Sequence, residues 1–317
     1  MNDNIIKLIN NSETIAILTH ISEDADALGS AAAFAFAVRN FGKKADIYVS
    51  EKPEDRLSVI GESFIVYDGD DGKYDLCVCL DCGDMARLGE RTKIFEAAEH
   101  TINIDHHYTN PKYAEENLVV GDASSTGEIL YDLLTEMGAE ITDDIARCIY
   151  IAIVGDTGCF KYSNTSPKTM RTAACLMEKS FDHADICRRL FDTERRGVMR
   201  FKGYVMENIH EYFGGRLCIA AADRNVFERC GLEEKETGDM VNIPRAVEGC
   251  EIAVSIKDVG KIKLSFRSNG KYDVSGLAEK FGGGGHKMAS GAALENGDTA
   301  EVEARIVSEC KKLFEGV

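Results

Sequence analysis

The sequence lacks an apolar run long enough to cross a bilayer: its longest mostly apolar stretch, Ile145 to Val154, is short and carries Arg147. Its start, Met1-Asn2-Asp3-Asn4, has neither the basic residues nor the apolar core of a signal peptide. Membrane insertion and secretion are therefore not expected, and the cytoplasm is the expected location. Basic charge is in deficit, with 37 Lys and Arg against 54 Asp and Glu, a net charge of −17. The deficit is uneven: 22 basic and 37 acidic residues fall in 1–214, but 15 and 17 in 215–317. Such an excess of acid repels long nucleic acid, whose binding rests on neutralising phosphates. A small anionic substrate stays compatible if bound cations invert the local field. A disulfide framework is also missing, because the eleven cysteines are odd in number, scattered, and often set inside apolar runs (Cys77, Cys79, Cys148). Cys79-x-x-Cys82 has no second pair at a spacing suited to structural zinc. The thiols read as buried and reduced. Repeats and low-complexity segments are absent as well.

What is present describes two globular domains. The 317 residues are 44 % apolar and 29 % charged, enough for ordinary buried cores. Short apolar runs alternate with helical stretches through the first half. Ile15–Thr19, Ala45–Val49, Asp75–Leu80 and Thr101–Ile104 read as strands. Gly29 to Phe41 reads as an Ala-rich helix ended by Gly42, and Thr126–Met137 and Asp143–Val154 as further helices. Ser166-Pro167 looks like a cap followed by proline in the first turn. Strands separated by helices predict a doubly wound, mainly parallel sheet, with ligands beyond the carboxyl ends of its strands. Phe181 to Tyr212 is charged and helical in pattern, and Gly214-Gly215 punctuates a boundary. Strands at Leu217–Ala222, Glu251–Lys257 and Lys261–Arg267, a helix around Val274–Phe281 and a last helix at Thr299–Glu315 predict a smaller α/β domain. The expected division is 1–185 for the first domain, 186–214 for a helical linker, and 215–317 for the second.

Four polar clusters sit just beyond apolar segments: His20 to Ser30 with Asp24 and Asp26, Asp81-Cys82-Gly83-Asp84, Asp105-His106-His107, and Gly155-Asp156-Thr157-Gly158. Taken singly, a carboxylate after a strand is most often a turn or cap residue. Gathered at one edge of a parallel sheet, these carboxylates would repel one another and be costly to desolvate. Metal cations answer both problems. Mixed carboxylate and imidazole donors favour Mn²⁺, with Co²⁺, Fe²⁺ or Mg²⁺ as substitutes. Ser124-Ser125-Thr126-Gly127 reads as a helix cap, with a substrate contact as the alternative.

In order along the chain, His20-x-x-x-Asp24-x-Asp26, Asp81, Asp105-His106-His107 and Asp156 resemble the four motifs of the DHH phosphoesterases. Gly282-Gly-Gly-Gly-His286-Lys287-Met-Ala-Ser-Gly291 resembles the glycine-rich motif of the DHH-associated C-terminal domain. The resemblance spans nearly the whole chain. It implies that His20 and Asp24 hold one divalent cation and Asp26, His106 and Asp156 a second, with Asp81 between them. It further implies that His107 contacts the scissile phosphate while Asp105 orients its neighbours. In the second domain it implies a substrate surface made of Arg267, Ser268, Gly283, Gly284, Gly285, His286 and Lys287. Successive glycines let backbone N–H groups approach an anion, and Arg267 can grip phosphate or stack on a base. A flexible linker is the rival reading of the glycine run.

Domain content narrows the resemblance to the compact nanoRNase/pAp phosphatase type. No membrane or sensory segment is available, and the length leaves no room for an extra nucleic-acid-binding domain. The implied substrates are very short oligonucleotides, linear dinucleotides such as pApA or pGpG, and pAp. Two alternatives come from other classes: a polyphosphate or pyrophosphate hydrolase, and a catalytically silent nucleotide-binding protein. A homodimer is compatible with the sequence but does not follow from it.

Overall fold

The computed structural model describes residues 2–316, apart from the side chain of Lys235. The chain forms two compact units that divide between Thr193 and Glu194.

In the N-terminal unit, β1 (Thr14–Leu18), β2 (Lys44–Val49), β3 (Ile65–Val66), β4 (Leu76–Leu80), β5 (His100–Asp105) and β6 (Glu116–Val119) form one sheet in the order β3-β2-β1-β4-β5-β6. Every neighbouring pair is parallel. The chain winds from β1 to one edge and then from β4 to the other, so the winding reverses between β1 and β4. A crevice opens at such a reversal beyond the carboxyl ends of the strands. Helices α1 (Asp3–Asn11), α2 (Ala25–Asn40), α3 (Thr92–Ala97), α4 (Thr126–Glu136), α5 (Asp143–Asp156), α6 (Pro167–Leu176) and α7 (His183–Cys187) complete the unit. Both faces of the sheet are covered, which explains why all five residues of β4 are apolar and buried. One core joins the sheet to α2, α4 and α5 through Ile15, Ile17, Phe34 and Ile149; the other face packs around Tyr48, Leu88 and Phe95.

Two glycines let helices approach closely in the first of these cores. A Cβ on Gly29 of α2 would lie 2.7 Å from the Cys148 carbonyl of α5, and one on Gly127 of α4 would lie 2.5 Å from Ala152 Cβ. The α2 helix begins at Ala25 rather than at Gly29, because Asp24 caps it: its carboxylate accepts from the backbone N–H groups of Asp26 and Ala27. The apolar pattern marked the buried part of this helix but not its polar first turn. Ser166 and Thr169 form the reciprocal capping box that Ser166-Pro167 predicted.

The C-terminal unit opens with α8 (Arg196–Glu207). It then builds a sheet from β7 (Ile209–Tyr212), β8 (Leu217–Asp223), β9 (Ile252–Asp258), β10 (Ile262–Ser268), β11 (Gly284–His286) and β12 (Ala289–Leu294), ordered β11-β12-β10-β9-β8-β7. Only β8 and β9 are parallel neighbours; the other pairs are antiparallel. Helices α9 (Arg224–Cys230), α10 (Asn242–Arg245), α11 (Ser275–Glu279) and α12 (Thr299–Glu315) accompany the sheet. The helical expectation over Phe181–Tyr212 fails at its end, since Ile209–Tyr212 is β7. Gly214 and Gly215, both at positive φ, turn the β7–β8 hairpin inside this unit. Residues 186–214 are shared: α7 and the π-helical turn 188–192 belong to the first unit, α8 and β7 to the second. The glycine run is not a flexible linker, because Gly284, Gly285 and His286 pair with Gly291, Ser290 and Ala289 as an edge strand. A Cβ on Gly283 would lie 2.0 Å from the Gly291 carbonyl oxygen, so only glycine fits there. All eleven cysteines are free thiols. No helix among the described residues is long and apolar enough to cross a membrane.

Candidate active site

The crevice between β1 and β4 receives the polar residues that follow those strands. His20 follows β1 and Asp81 follows β4 directly, while Asp105 ends β5 and is succeeded by His106 and His107. Asp24 and Asp26 stand at the start of α2, and Asp156 ends α5. Asp81 adopts φ 55°, a left-handed conformation that aspartate tolerates better than most residues and that turns its carboxylate into the crevice.

These side chains form overlapping triads. His20, Asp24 and Asp81 make one, Asp26, His106 and Asp156 another, and Asp81 also lies with His106 and His107. His20 Nε2 is 3.6 Å from Asp81 Oδ2 and 3.8 Å from Asp24 Oδ2. His106 Nε2 is 3.5 Å from Asp81 Oδ1, 3.7 Å from Asp156 Oδ2 and 3.8 Å from Asp26 Oδ2. Asp81 thus turns one oxygen toward each histidine. The separations exceed hydrogen-bond length, but suit donors converging on a shared cation about 2 Å from each. The Nδ1 atoms of the two histidines lie on backbone carbonyls, His20 on Ile21 at 2.7 Å and His106 on Ala123 at 3.4 Å. Donation there leaves each Nε2 lone pair facing the carboxylates.

The electrostatics favour a cation as well. Burial pushes Asp26 well above the usual carboxylate range, and the negative charges of Asp81, Asp156 and Asp24 push it further. Asp156 is raised too, first by burial and then by Asp81 and Asp24, against the opposing pull of His106. Burial disfavours a charged His20, but Asp24 and Asp81 outweigh it and raise its pKa to about 10. Without a cation Asp26, Asp156 and His20 favour their protonated forms more than free side chains do; the oxygen and nitrogen donors of the cluster fit divalent metal.

The surrounding residues hold these groups in place. Asp24 uses Oδ1 to cap α2 and presents Oδ2 to His20, so the cap and the cluster share one carboxylate. Asp26 accepts at Oδ2 from the N–H of Thr126 (2.8 Å), and at Oδ1 from the N–H of Gly127 and the hydroxyl of Ser30 (3.0 Å each). The Thr126 hydroxyl donates to Asp81 Oδ1 at 3.1 Å, while Ser125 caps α4. The Ser124–Gly127 segment is therefore both a cap and a brace. Asn164 Nδ2 donates to Asp156 Oδ2 at 3.3 Å and to its backbone oxygen at 3.1 Å. Glu23, between His20 and Asp24, is pinned by buried Arg91 at 3.0 Å and by the N–H of Ser50 at 2.6 Å.

Asp105 is fully buried and faces His107: its Oδ1 lies 2.7 Å from His107 Nδ1, and its Oδ2 accepts from Asn110 at 2.6 Å. The bond to Asp105 raises the His107 pKa against a smaller opposing effect of burial. His107 is partly exposed beside the cluster.

Sequence reasoning missed Asn103, Asn110, Asn164 and Arg91. Asn103 left a trace, a polar residue between Ile102 and Ile104 in a buried strand, where its Nδ2 donates to the Cys79 and Cys82 carbonyls. Cys79 and Cys82 are buried, and burial pushes Cys82 up to about 12, which keeps it a protonated thiol.

The remaining predicted residues lie in the C-terminal unit. Arg267, Ala289 and His286 form one cross-strand row, which places Arg267 and His286 on the same sheet face. Gly284, Gly291 and Ser265 continue that face as a shallow surface of small residues. Arg267 Nη2 donates to Asp239 at 3.0 Å, while Gly284, Gly285, His286 and Lys287 are exposed. Ser268 is buried, and its hydroxyl accepts from the N–H groups of Gly270 and Tyr272, so it shapes a turn.

Comparison with known proteins agrees with this architecture. Residues 14–153 match the DHH family, N-terminal domain, and residues 209–316 match the DHHA1 domain. A bifunctional oligoribonuclease and PAP phosphatase NrnA from Thermus thermophilus is 30 % identical over 94 % of this chain and 89 % of its own. The Bacillus subtilis protein of the same name is 27 % identical over 98 % of this chain and 99 % of its own. A crystal structure of an exopolyphosphatase-related protein from Bacteroides fragilis superposes with a TM-score of 0.85 at 26 % identity, covering 99 % of this chain and 97 % of that one. With the motifs in order and both domains matched, the chain belongs to the DHH family of metal-dependent phosphoesterases, with a DHHA1 domain at its C-terminal end.

Proposed function

We propose that the protein hydrolyses phosphate esters of very short oligonucleotides, linear dinucleotides such as pApA or pGpG, and pAp, using two divalent cations, with Mn²⁺ the preferred ion. The observation that carries this reading is the carboxylate of Asp81, whose Oδ2 faces His20 and whose Oδ1 faces His106. His20, Asp24 and Asp81 would hold one cation, and Asp26, His106, Asp156 and Asp81 the other. Bound there, a cation pair supplies an acidified water near neutral pH and draws charge from the phosphate oxygens.

The chain's own residues do the rest. Thr126, Gly127 and Ser30 fix Asp26, and the Thr126 hydroxyl sets the angle of Asp81. His107, whose pKa the bond to Asp105 raises, donates to the scissile phosphate and gives a proton to the leaving oxygen. In the C-terminal unit, Arg267, the glycines 283–285, His286 and Lys287 bind substrate, with Ser268 supporting the turn beside them. The NrnA relatives, named as oligoribonucleases and PAP phosphatases, support the substrate class. The acid excess of the first unit supports short substrates over long polymers, and the thiol-rich composition supports a cytoplasmic location.

The test is a substrate panel of pAp, pApA, a longer single strand, pyrophosphate and polyphosphate, with and without Mn²⁺. Mn²⁺-dependent turnover of pAp or pApA is expected. Activity confined to pyrophosphate or polyphosphate would replace this reading, and activity confined to the long strand would overturn the substrate choice.

A further inference from the structure

Beside the carboxylate cluster, the N-terminal unit has a cleft of about 130 Å³. Its lining includes Asp24 and Asp156, carboxylates of two of the triads, together with Arg56, Leu57, Leu190 and Phe191. Leu57 and Leu190 are buried. Phe191 is half-buried, and Lys161 Nζ lies 5.6 Å from its ring centroid. The aromatic ring belongs to a π-helical turn, Arg188–Asp192, which packs against the short helix Asp55–Ile60 that carries Arg56 and Leu57. Such turns are uncommon and cluster at functional sites. None of these four residues belongs to a motif of the metal cluster, and the chemistry described so far leaves them unused.

Their combination is specific. An apolar lining with an aromatic ring suits a nucleobase, because every base presents a π-face. Arg56 and Lys161 supply positive charge in a unit that is otherwise strongly acidic. The carboxylates in the lining mark the side on which a phosphate held by the metal cluster would sit. Inorganic pyrophosphate has no use for such a lining; a nucleoside monophosphate does. We propose that this cleft is a nucleoside subsite, in which a base lies against Phe191 over Leu57 and Leu190 while Arg56 faces the ribose-phosphate. The proposal rests on the phosphoesterase reading above and names what that site recognises beside the phosphate it cuts.

Calorimetric titration of the Mn²⁺-loaded protein with AMP and with ribose 5-phosphate tests it. AMP is expected to bind about tenfold more tightly than ribose 5-phosphate, in line with base–aromatic stacking. Phe191→Leu keeps apolar bulk and should erase that preference, whereas Phe191→Trp should keep it. Arg56→Gln alters a half-exposed side chain whose one ion pair, to Glu54 at 2.6 Å, is itself on the surface, and it should weaken both probes alike. With pAp as substrate, Phe191→Leu should raise KM about tenfold with kcat little changed. Equal binding of the two probes by the unaltered protein, an AMP preference that survives Phe191→Leu, or unchanged affinities in Arg56→Gln would each overturn the subsite. Should the protein cleave neither pAp nor pApA yet still prefer AMP, the proposed reaction fails while the subsite stands.

Discussion

The backbone N–H of Thr126 donates to Asp26 Oδ2 at 2.8 Å across 100 residues of sequence, while the Thr126 hydroxyl reaches Asp81 at 3.1 Å. One residue at the start of α4 thereby braces two carboxylates of the candidate metal centre. Thr126→Val retains the backbone bond and the side-chain shape but removes the hydroxyl. Metal affinity and kcat should fall about 10–100-fold, the usual cost of losing such a partner. Metal titration with unchanged thermal unfolding of the metal-free protein would separate this effect from misfolding.

Asp81→Asn should be more severe, because it neutralises the carboxylate that faces His20 through one oxygen and His106 through the other. The loss of turnover should exceed the roughly 100-fold typical of supporting partners. Elemental analysis should show fewer than two bound ions per chain, and two tightly held ions in the variant would contradict the bridging role.

Metal binding should release protons. Burial and neighbouring carboxylates raise Asp26 and Asp156, and the carboxylates raise His20 to about 10, so these groups hold their protons more tightly in the metal-free cluster than they would free in water. Metal requires these groups deprotonated, so apparent affinity should climb with pH, about tenfold per unit for each proton displaced. The metal-free protein should behave in the opposite sense. Groups whose folded pKa is raised stabilise the fold while protonated, and that stability is lost as pH rises through the raised values. Calorimetry in buffers of different ionisation enthalpy measures the protons directly.

Asp105→Asn removes the main support of the charged His107 imidazole. The His107 pKa should fall, and the alkaline limb of the kcat profile should move to lower pH. Because the variant keeps a hydrogen-bonding side chain at this buried position, its metal content should match the unaltered protein. An unmoved profile would remove His107 from proton donation.

Much of this arrangement was legible in the sequence. Apolar runs marked β1, β4 and β5, and a parallel sheet left only one edge for His20, Asp81 and Asp105–His107. The Thr299–Glu315 helix and the Ser166-Pro167 cap followed from local chemistry alone. The brace from Thr126 to Asp26 was illegible because its partners are backbone N–H groups, which any residue carries. Arg91 was equally hidden: its charge predicts a solvated side chain, whereas it is buried against Glu23 and the Tyr48 carbonyl. Strand β7 was lost inside a charged pattern because it pairs only with β8 along one edge, where burial is partial.

The division of labour within Asp24 has a consequence for how the metal-loaded state can be observed. Its two oxygens tie the opening turn of α2 to the same carboxylate that faces His20. Protonating or mutating that group loosens a helix end and a ligand together. The amides of Asp26 and Ala27 should therefore act as built-in reporters, exchanging hydrogen for deuterium more slowly as ions are taken up, with no label attached to the protein.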